Sequence, residues 1–210
     1  MAEPAVEKKL NESDRARSKK SNDDEFGLIR AAQRGEEEAF GELVKRYQQK
    51  IYALAYSMTG NHSDADDLAQ ETFLKAYRAL GRFRFKSKFY TWIYRIAINT
   101  IISELKKSRK HSHLELEPQW AETVQSPYLP PGLRPANPRR ELRRAELREV
   151  LHRALDKLTD KHRAVVTMHD IEGIPQVEIA RILSCSEGTI RSRLHYARKQ
   201  LQGLLKVRLE

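Results

Sequence analysis

The chain opens on a stretch through Asn22 that is polar and nearly free of apolar side chains. Such a segment cannot bury enough surface to offset the entropy lost on ordering it, so residues 1–22 read as a disordered tail. A helical period begins at Asp23. Asp23 or Asp24 caps a short helix through Arg34, closed by Gly35. A longer helix follows, in which Phe40, Leu43, Val44, Tyr47, Ile51, Leu54, Ala55 and Met58 form one apolar stripe ending at Gly60. Ser63, with Asp66 three residues on, gives a capping-box pattern, and Ala65, Leu68, Ala69, Thr72, Phe73, Ala76, Tyr77 and Leu80 repeat the stripe up to Gly81. After a loop rich in Arg, Lys and Phe, Ser87 caps a fourth helix with Phe89, Trp92, Ile93, Ile96, Ala97, Thr100 and Ile101 on its buried side. No strand pattern occurs in this half.

Between 106 and 138 the pattern is lost: four Lys or Arg close the helix, and Pro118, Pro127, Pro130, Pro131 and Pro135 break every periodicity. A structureless run of that length joins domains or carries function. Asn137 and Pro138 restart a helix as cap and first residue, continued by Leu142, Ala145, Val150, Leu151, Ala154, Leu155 and Leu158. Thr159 caps a run containing Ala164, Val165, Met168 and Ile171, Glu172 and Gly173 make a turn, and a short helix spans Pro175 to Leu183. Ser184 and Cys185 break it, and Ser186 caps a last helix. Two helices joined by about three residues make a helix-turn-helix. The expected fold is therefore all-α, with two small helical domains, a four-helix unit at 23–108 and a helix-turn-helix unit at 138–206, joined by a flexible linker at 109–137.

Charge adds a partner class. Thirty-nine Lys and Arg against twenty-nine Asp and Glu leave +10, a balance suited to a polyanion such as nucleic acid. The excess is local: Gly81–Lys110 holds nine basic residues and one acid, Glu104, while Glu187–Glu210 holds six and two. A single cysteine, Cys185, excludes an internal disulfide framework and a multi-thiolate zinc site, and suits a reducing cytoplasm. His111 and His113 are too sparse for a metal site, and nothing in the chain calls for a cofactor. No apolar h-region or membrane-length apolar run is present, so neither a signal peptide nor membrane insertion is expected.

The last helix places Ile190, Leu194, Ala197 and Leu201 on one face and leaves Arg191, Ser192, His195, Tyr196 and Lys199 outward. Arg takes guanine bidentately, Ser and His reach base edges, and the amides of Gly188 and Thr189 lie at a helix N-terminus that attracts phosphate. A helical hairpin with a solvated basic face has the same period. The string Glu178-Ile179-Ala180 with Gly188-Thr189-Ile190-Arg191-Ser192-Arg193-Leu194 and Ala197-Arg198 resembles the fourth conserved region of extracytoplasmic-function sigma factors, bacterial initiation factors of the sigma-70 family. Asp64-Ala65-Asp66-Asp67-Leu68-Ala69-Gln70-Glu71-Thr72-Phe73, followed by Phe89-Tyr90-Thr91-Trp92-Ile93-Tyr94-Arg95-Ile96-Ala97-Ile98-Asn99, is similar to the second region. Together the two cover about Phe26–Lys106 and Glu141–Leu204.

The resemblance implies a factor that binds core RNA polymerase and directs it to promoters. Asp66, Asp67, Gln70 and Glu71 would dock on the polymerase clamp helices; a solvated helix N-terminus whose dipole favours acids explains Asp64 and Asp66 well but Gln70 and Glu71 poorly. Arg82, Phe83, Arg84, Lys86, Ser87, Lys88, Tyr90, Arg95 and Asn99 would capture opened minus-ten DNA, since cations track phosphates while rings receive unstacked bases. Phe83 and Asn99 fall at the family's matching positions, whereas Phe85 and Lys86 stand where members often carry a small and an acidic residue. Gly188, Thr189, Arg191, Ser192, Arg193, His195, Tyr196 and Lys199 would read the minus-thirty-five duplex; His195 and Tyr196 replace a common aromatic and Arg. The resemblance also implies an anti-sigma protein that inserts between the domains. Catalysis is not expected, because no phosphate-binding glycine loop or zinc-protease pair is present and the paired acids lie on an exposed helix. A stand-alone helix-turn-helix regulator is the rival, but it has no need of a basic aromatic loop beside an acidic docking helix.

Overall fold

A computed structural model of the chain describes residues 24–112 and 138–209. The tail expected at 1–22 and the linker from 113 to 137 lie outside the described residues. Every element among the described residues is helical. Helix α1 spans 24–33, α2 Glu37–Thr59, α3 His62–Ala79 and α4 Phe89–Ser112, with a short 3-10 turn at Leu80–Arg82. The second half holds α5 Pro138–Asp156, α6 Asp160–Val166, a widened π turn at Thr167–Ile171, α7 Gln176–Leu183 and α8 Glu187–Leu209.

The apolar stripes of α2, α3 and α4 face one another. Leu43, Ile51, Leu54 and Met58 from α2 meet Ala65, Leu68 and Phe73 from α3 and Ile93, Ala97 and Ile101 from α4, all buried. Gly60 ends α2 in the left-handed conformation at φ 73°, its amide bonded to the Tyr56 carbonyl at 2.8 Å. A β-carbon there would also meet the His152 ring at 3.2 Å, so glycine answers both to the turn and to the neighbouring α5. The cap of α3 is Asn61 and not Ser63: its side-chain oxygen accepts from the amides of Ser63 at 2.7 Å and Asp64 at 3.2 Å. Asn61→Ala is expected to lower stability by about 1 kcal/mol, read as a lower midpoint in denaturant with unchanged slope.

The second core gathers Leu155, Leu158, Val165, Met168, Ile179, Ile182, Ile190, Leu194 and Ala197. Thr159 caps α6 through the His162 amide at 3.4 Å, as expected, and Ser184 turns the chain at φ 52° between the two helices of the motif. Arg198 on α8 is paired with Asp170 of the π turn at 3.0 Å, which ties the final helix to the start of the motif. Two residues leave their expected stripes. Tyr77 is 44% exposed and edge-on to Phe40 at 5.0 Å, and Ile171 is exposed because the π turn widens the helix there and rotates it outward. Helix α4 runs through Ser112 and so takes in the first four residues, 109–112, of the expected linker.

The two halves pack on each other through the C-terminal part of α2, α4, α5, α6 and α7. Ser57 donates to Glu172 at 3.5 Å, Arg109 pairs with Asp160 at 2.7 Å, and the Tyr56 ring meets His152 edge-on at 5.5 Å. Burial holds His152 below the ordinary imidazole range and Glu172 above the ordinary carboxylate range.

Candidate nucleic-acid interface

Three surfaces take the residues singled out in the sequence. On α3, Asp64, Asp66, Asp67 and Gln70 are exposed and Glu71 is half-exposed, paired with Lys75 at 2.8 Å. Lys75 in turn reaches the Thr100 hydroxyl at 3.2 Å. Burial raises the Asp64 carboxyl above its ordinary value, and the nearby charges of Asp67 and Glu104 add to the shift. Asp64, Asp67, Glu71 and Glu104 line a cleft of about 480 Å³ together with Arg109, Asp156 and Arg163. The Arg163 side chain is buried against Asp156. Leu74 continues the acidic face and is 57% exposed, and Tyr77 follows it. The sequence offered no way to find Leu74 as part of a surface, since an apolar residue in a helical period reads as core.

The second surface is the basic loop. Arg82, Arg84, Lys86, Ser87 and Lys88 are exposed, as is Asn99 one helical face further on. Phe83, expected among the capture residues, is 6% exposed, packed 5.0 Å from Phe85, 5.1 Å from Trp92 and 5.9 Å from Phe89. Its ring therefore forms a floor. Phe83→Ala should cost about 3–5 kcal/mol, the range for emptying a buried aromatic site, and is checked by chemical unfolding before any DNA measurement is read. The loop is held from α1, which the sequence did not single out. The Gln33 amide donates to the carbonyls of Leu80 at 3.0 Å and Phe83 at 2.8 Å. Phe85, at φ 56°, lies against Phe26 with ring centroids 4.6 Å apart, and the Arg30 guanidinium covers both rings.

Beyond the loop the expected strand-binding face meets α7. Thr91 is buried and donates to the Glu178 carboxylate, while Arg95 donates to the carbonyls of Ile182 at 3.1 Å and Arg181 at 2.6 Å. Tyr90 is half-buried beside Tyr94 at 4.3 Å, and burial raises its phenol above the ordinary value. Arg95, expected to contact opened DNA, is thus engaged by the helix-turn-helix half, a contact the sequence could not supply.

The third surface is α8. The Ser186 hydroxyl accepts from the Thr189 amide at 3.1 Å, which starts the helix and leaves Gly188 exposed at its first turn. Arg191, Ser192, His195 and Lys199 are exposed, Tyr196 is 59% exposed and edge-on to His195 at 5.5 Å, and Arg193 is half-buried. Ile190, Leu194, Ala197 and Leu201 are buried on the opposite face, as the period required. Cys185 is half-buried in the turn. Among the described residues no group of His, Cys, Asp and Glu could hold a metal ion, and no helix is long and apolar enough to cross a membrane.

The sigma-70 region 2 model matches residues 43–111, which carry the acidic face and the basic loop, and the sigma-70 region 4 model matches residues 148–201, which carry the helix-turn-helix. The RNA polymerase sigma-H factor of Pseudomonas aeruginosa is 38% identical over 184 residues, covering 85% of this chain and 94% of its own. The ECF RNA polymerase sigma factor SigW of Bacillus subtilis is 34% identical over 180 residues, covering 85% and 95%. Among solved structures, CnrH in complex with the cytosolic domain of CnrY matches with a TM-score of 0.60 at 28% identity, over 86% of this chain and 96% of that one. The sigma factor RpoE of Bartonella quintana, in complex with the anti-sigma factor NepR, matches with a TM-score of 0.57 at 26% identity, over 80% and 97%. With its two family regions in order on one all-helical chain, this protein belongs to the extracytoplasmic-function group of sigma-70 factors, which direct RNA polymerase to promoters.

Proposed function

We propose that the three surfaces divide the work of promoter-directed initiation among named residues. Asp66, Asp67, Gln70 and Glu71 hold core polymerase, with Leu74 supplying an apolar contact on the same face. Arg82, Arg84, Lys86, Ser87, Lys88, Tyr90, Arg95 and Asn99 take the opened minus-ten strand over the floor made by Phe83. Gly188, Thr189, Arg191, Ser192, Arg193, His195, Tyr196 and Lys199 read the minus-thirty-five duplex. The observation that carries this division is the acidic helix α3 and the basic aromatic loop lying consecutively on one four-helix unit. A protein that only binds duplex DNA has no use for that pairing. Strand opening and base reading become one event when unstacked bases are captured, because extruding a base costs a few kcal/mol that only a fitting pocket returns.

The chain catalyses nothing itself in this reading, and it acts in the cytoplasm, at the nucleoid when bound to polymerase. A smaller anti-sigma protein restrains it, as the solved complexes of similar factors suggest. Run-off transcription with purified core polymerase, this chain and a genomic promoter library tests the function: discrete transcripts that depend on the chain are expected. A folded chain that binds duplex DNA but yields no transcript would make it a stand-alone regulator. Copurification from its own host with a small protein that blocks polymerase binding is the expected sign of the inhibitor.

A further inference from the structure

The cleft beside the basic loop has a wall that the loop does not provide. Glu25, Phe26 and Ile29 of α1 face Phe83, Phe85 and Lys86 across about 410 Å³. Ile29 and Phe83 are buried and make an apolar floor. The rings of Phe26 and Phe85 stand at its side, stiffened by the Arg30 guanidinium 5.3 and 4.9 Å from their centroids. Lys86 is exposed at the mouth. Glu25 is half-buried, and one of its oxygens, Oε1, accepts from the Tyr47 hydroxyl. An ionised carboxylate offers about four lone-pair sites, so most of its accepting capacity remains after that bond.

Aromatic walls, an apolar floor, a cation at the rim and one carboxylate acceptor within are together the chemistry of an unstacked base that carries an amino group, with its phosphate at the lysine. We propose that Glu25 is a specificity-determining residue of strand capture: it accepts a hydrogen bond from the exocyclic amine of an extruded cytosine, adenine or guanine and disfavours thymine. Thymine has no exocyclic amine, and its single donor, N3–H, is flanked by two carbonyl oxygens that come up against the carboxylate with it. The inference rests on the reading of the basic loop as the capture site. Because the Tyr47 hydroxyl fixes one oxygen, the substitution Glu25→Gln has a definite sign: the amide oxygen takes over the bond from Tyr47 and the amide NH2 is turned into the cleft. An acceptor becomes a donor.

The test is made on holoenzyme assembled from the full chain and core polymerase, incubated with a randomised pool of single-stranded hexanucleotides whose retained fraction is sequenced. Wild type should show one position depleted in thymine by about tenfold, the low end of what a base-specific contact discriminates. In Glu25→Gln that position alone should turn toward thymine, and in Glu25→Ala it should become indifferent, with the other positions unchanged. A merely structural residue would weaken every position together. Glu25→Gln with the wild-type preference at every position, or with a uniform loss, overturns the assignment of Glu25. Retention of the pool by wild type without preference at any position overturns the capture reading, and the role of Glu25 with it.

Discussion

Reversing charge at Asp67 and Glu71 together, as Asp67→Lys with Glu71→Lys, should weaken binding to core polymerase by more than about a hundredfold, since losing a close interfacial charge pair costs about 2–5 kcal/mol. The fold should be little affected. Asp67 is exposed, and Glu71 contributes an i,i+4 pair with Lys75 between half-exposed side chains, worth about 0.3–0.5 kcal/mol. Removing the Asp67 charge also relieves Asp64. Its carboxyl is raised by burial first and then by Asp67 and Glu104, so its ionised form is disfavoured in the folded state. A group raised in this way lowers stability at pH values above its ordinary titration, and one of the causes is taken away. Fluorescence anisotropy of a labelled chain against core enzyme gives the affinity, and circular dichroism the helical content. Undiminished affinity in a folded double variant would remove the docking role from α3.

The elements of the fold were legible because each helix carries its own period and punctuation: Gly60 and Ser184 sit where the chain turns left-handed, and Thr159 and Ser186 cap as their positions suggest. Asn61 was missed because two polar residues two positions apart both satisfy the cap pattern, and only geometry decides which oxygen reaches the amides. The surfaces were less legible. Leu74 and Tyr77 belong to a helix with apolar residues on more than one face, and a period finds the face toward the core without telling whether a second one awaits a partner. Phe83 illustrates the converse. An aromatic among cations suits base stacking and suits a core equally, and the neighbours that settle it, Phe85, Phe89 and Trp92, act through packing. Gln33 escaped notice because its role is a pair of hydrogen bonds to main-chain carbonyls nearly fifty residues away. Arg95 has the chemistry of a strand contact by its residue type, but what it touches comes from the other half of the chain.

That contact leads to the second large effect: a chain held in the closed arrangement should capture minus-ten single strands more than about a hundredfold less well than the same chain left unlinked. Arg95 donates to two carbonyls of α7, and Thr91 is buried under Glu178, so part of the capture face is covered while the halves stay together. While Arg95 donates to the carbonyls of Arg181 and Ile182, its guanidinium is not free to pair with a strand's phosphates. The closed arrangement is not expensive to leave. Among the described residues its polar links are a few hydrogen bonds and one ion pair, Arg109 with Asp160, each worth about 1 kcal/mol net, and the burial of Glu172 works against it. Polymerase docking can therefore supply the opening. The link is made with Ser57→Cys and Glu172→Cys, whose native side chains approach to 3.5 Å, joined by a short bis-maleimide in a Cys185→Ser background so that the half-buried native thiol does not react. Neither position belongs to the docking, capture or duplex-reading sets. The linked chain should still bind minus-thirty-five duplex, because Arg191, Ser192, His195 and Lys199 are exposed in the closed arrangement. Equal capture of a single-stranded minus-ten oligonucleotide by linked and unlinked chains would mean that Thr91 and Arg95 are dispensable for capture, and that Asn99 and the basic loop, which stay exposed when the halves are closed, hold the strand by themselves.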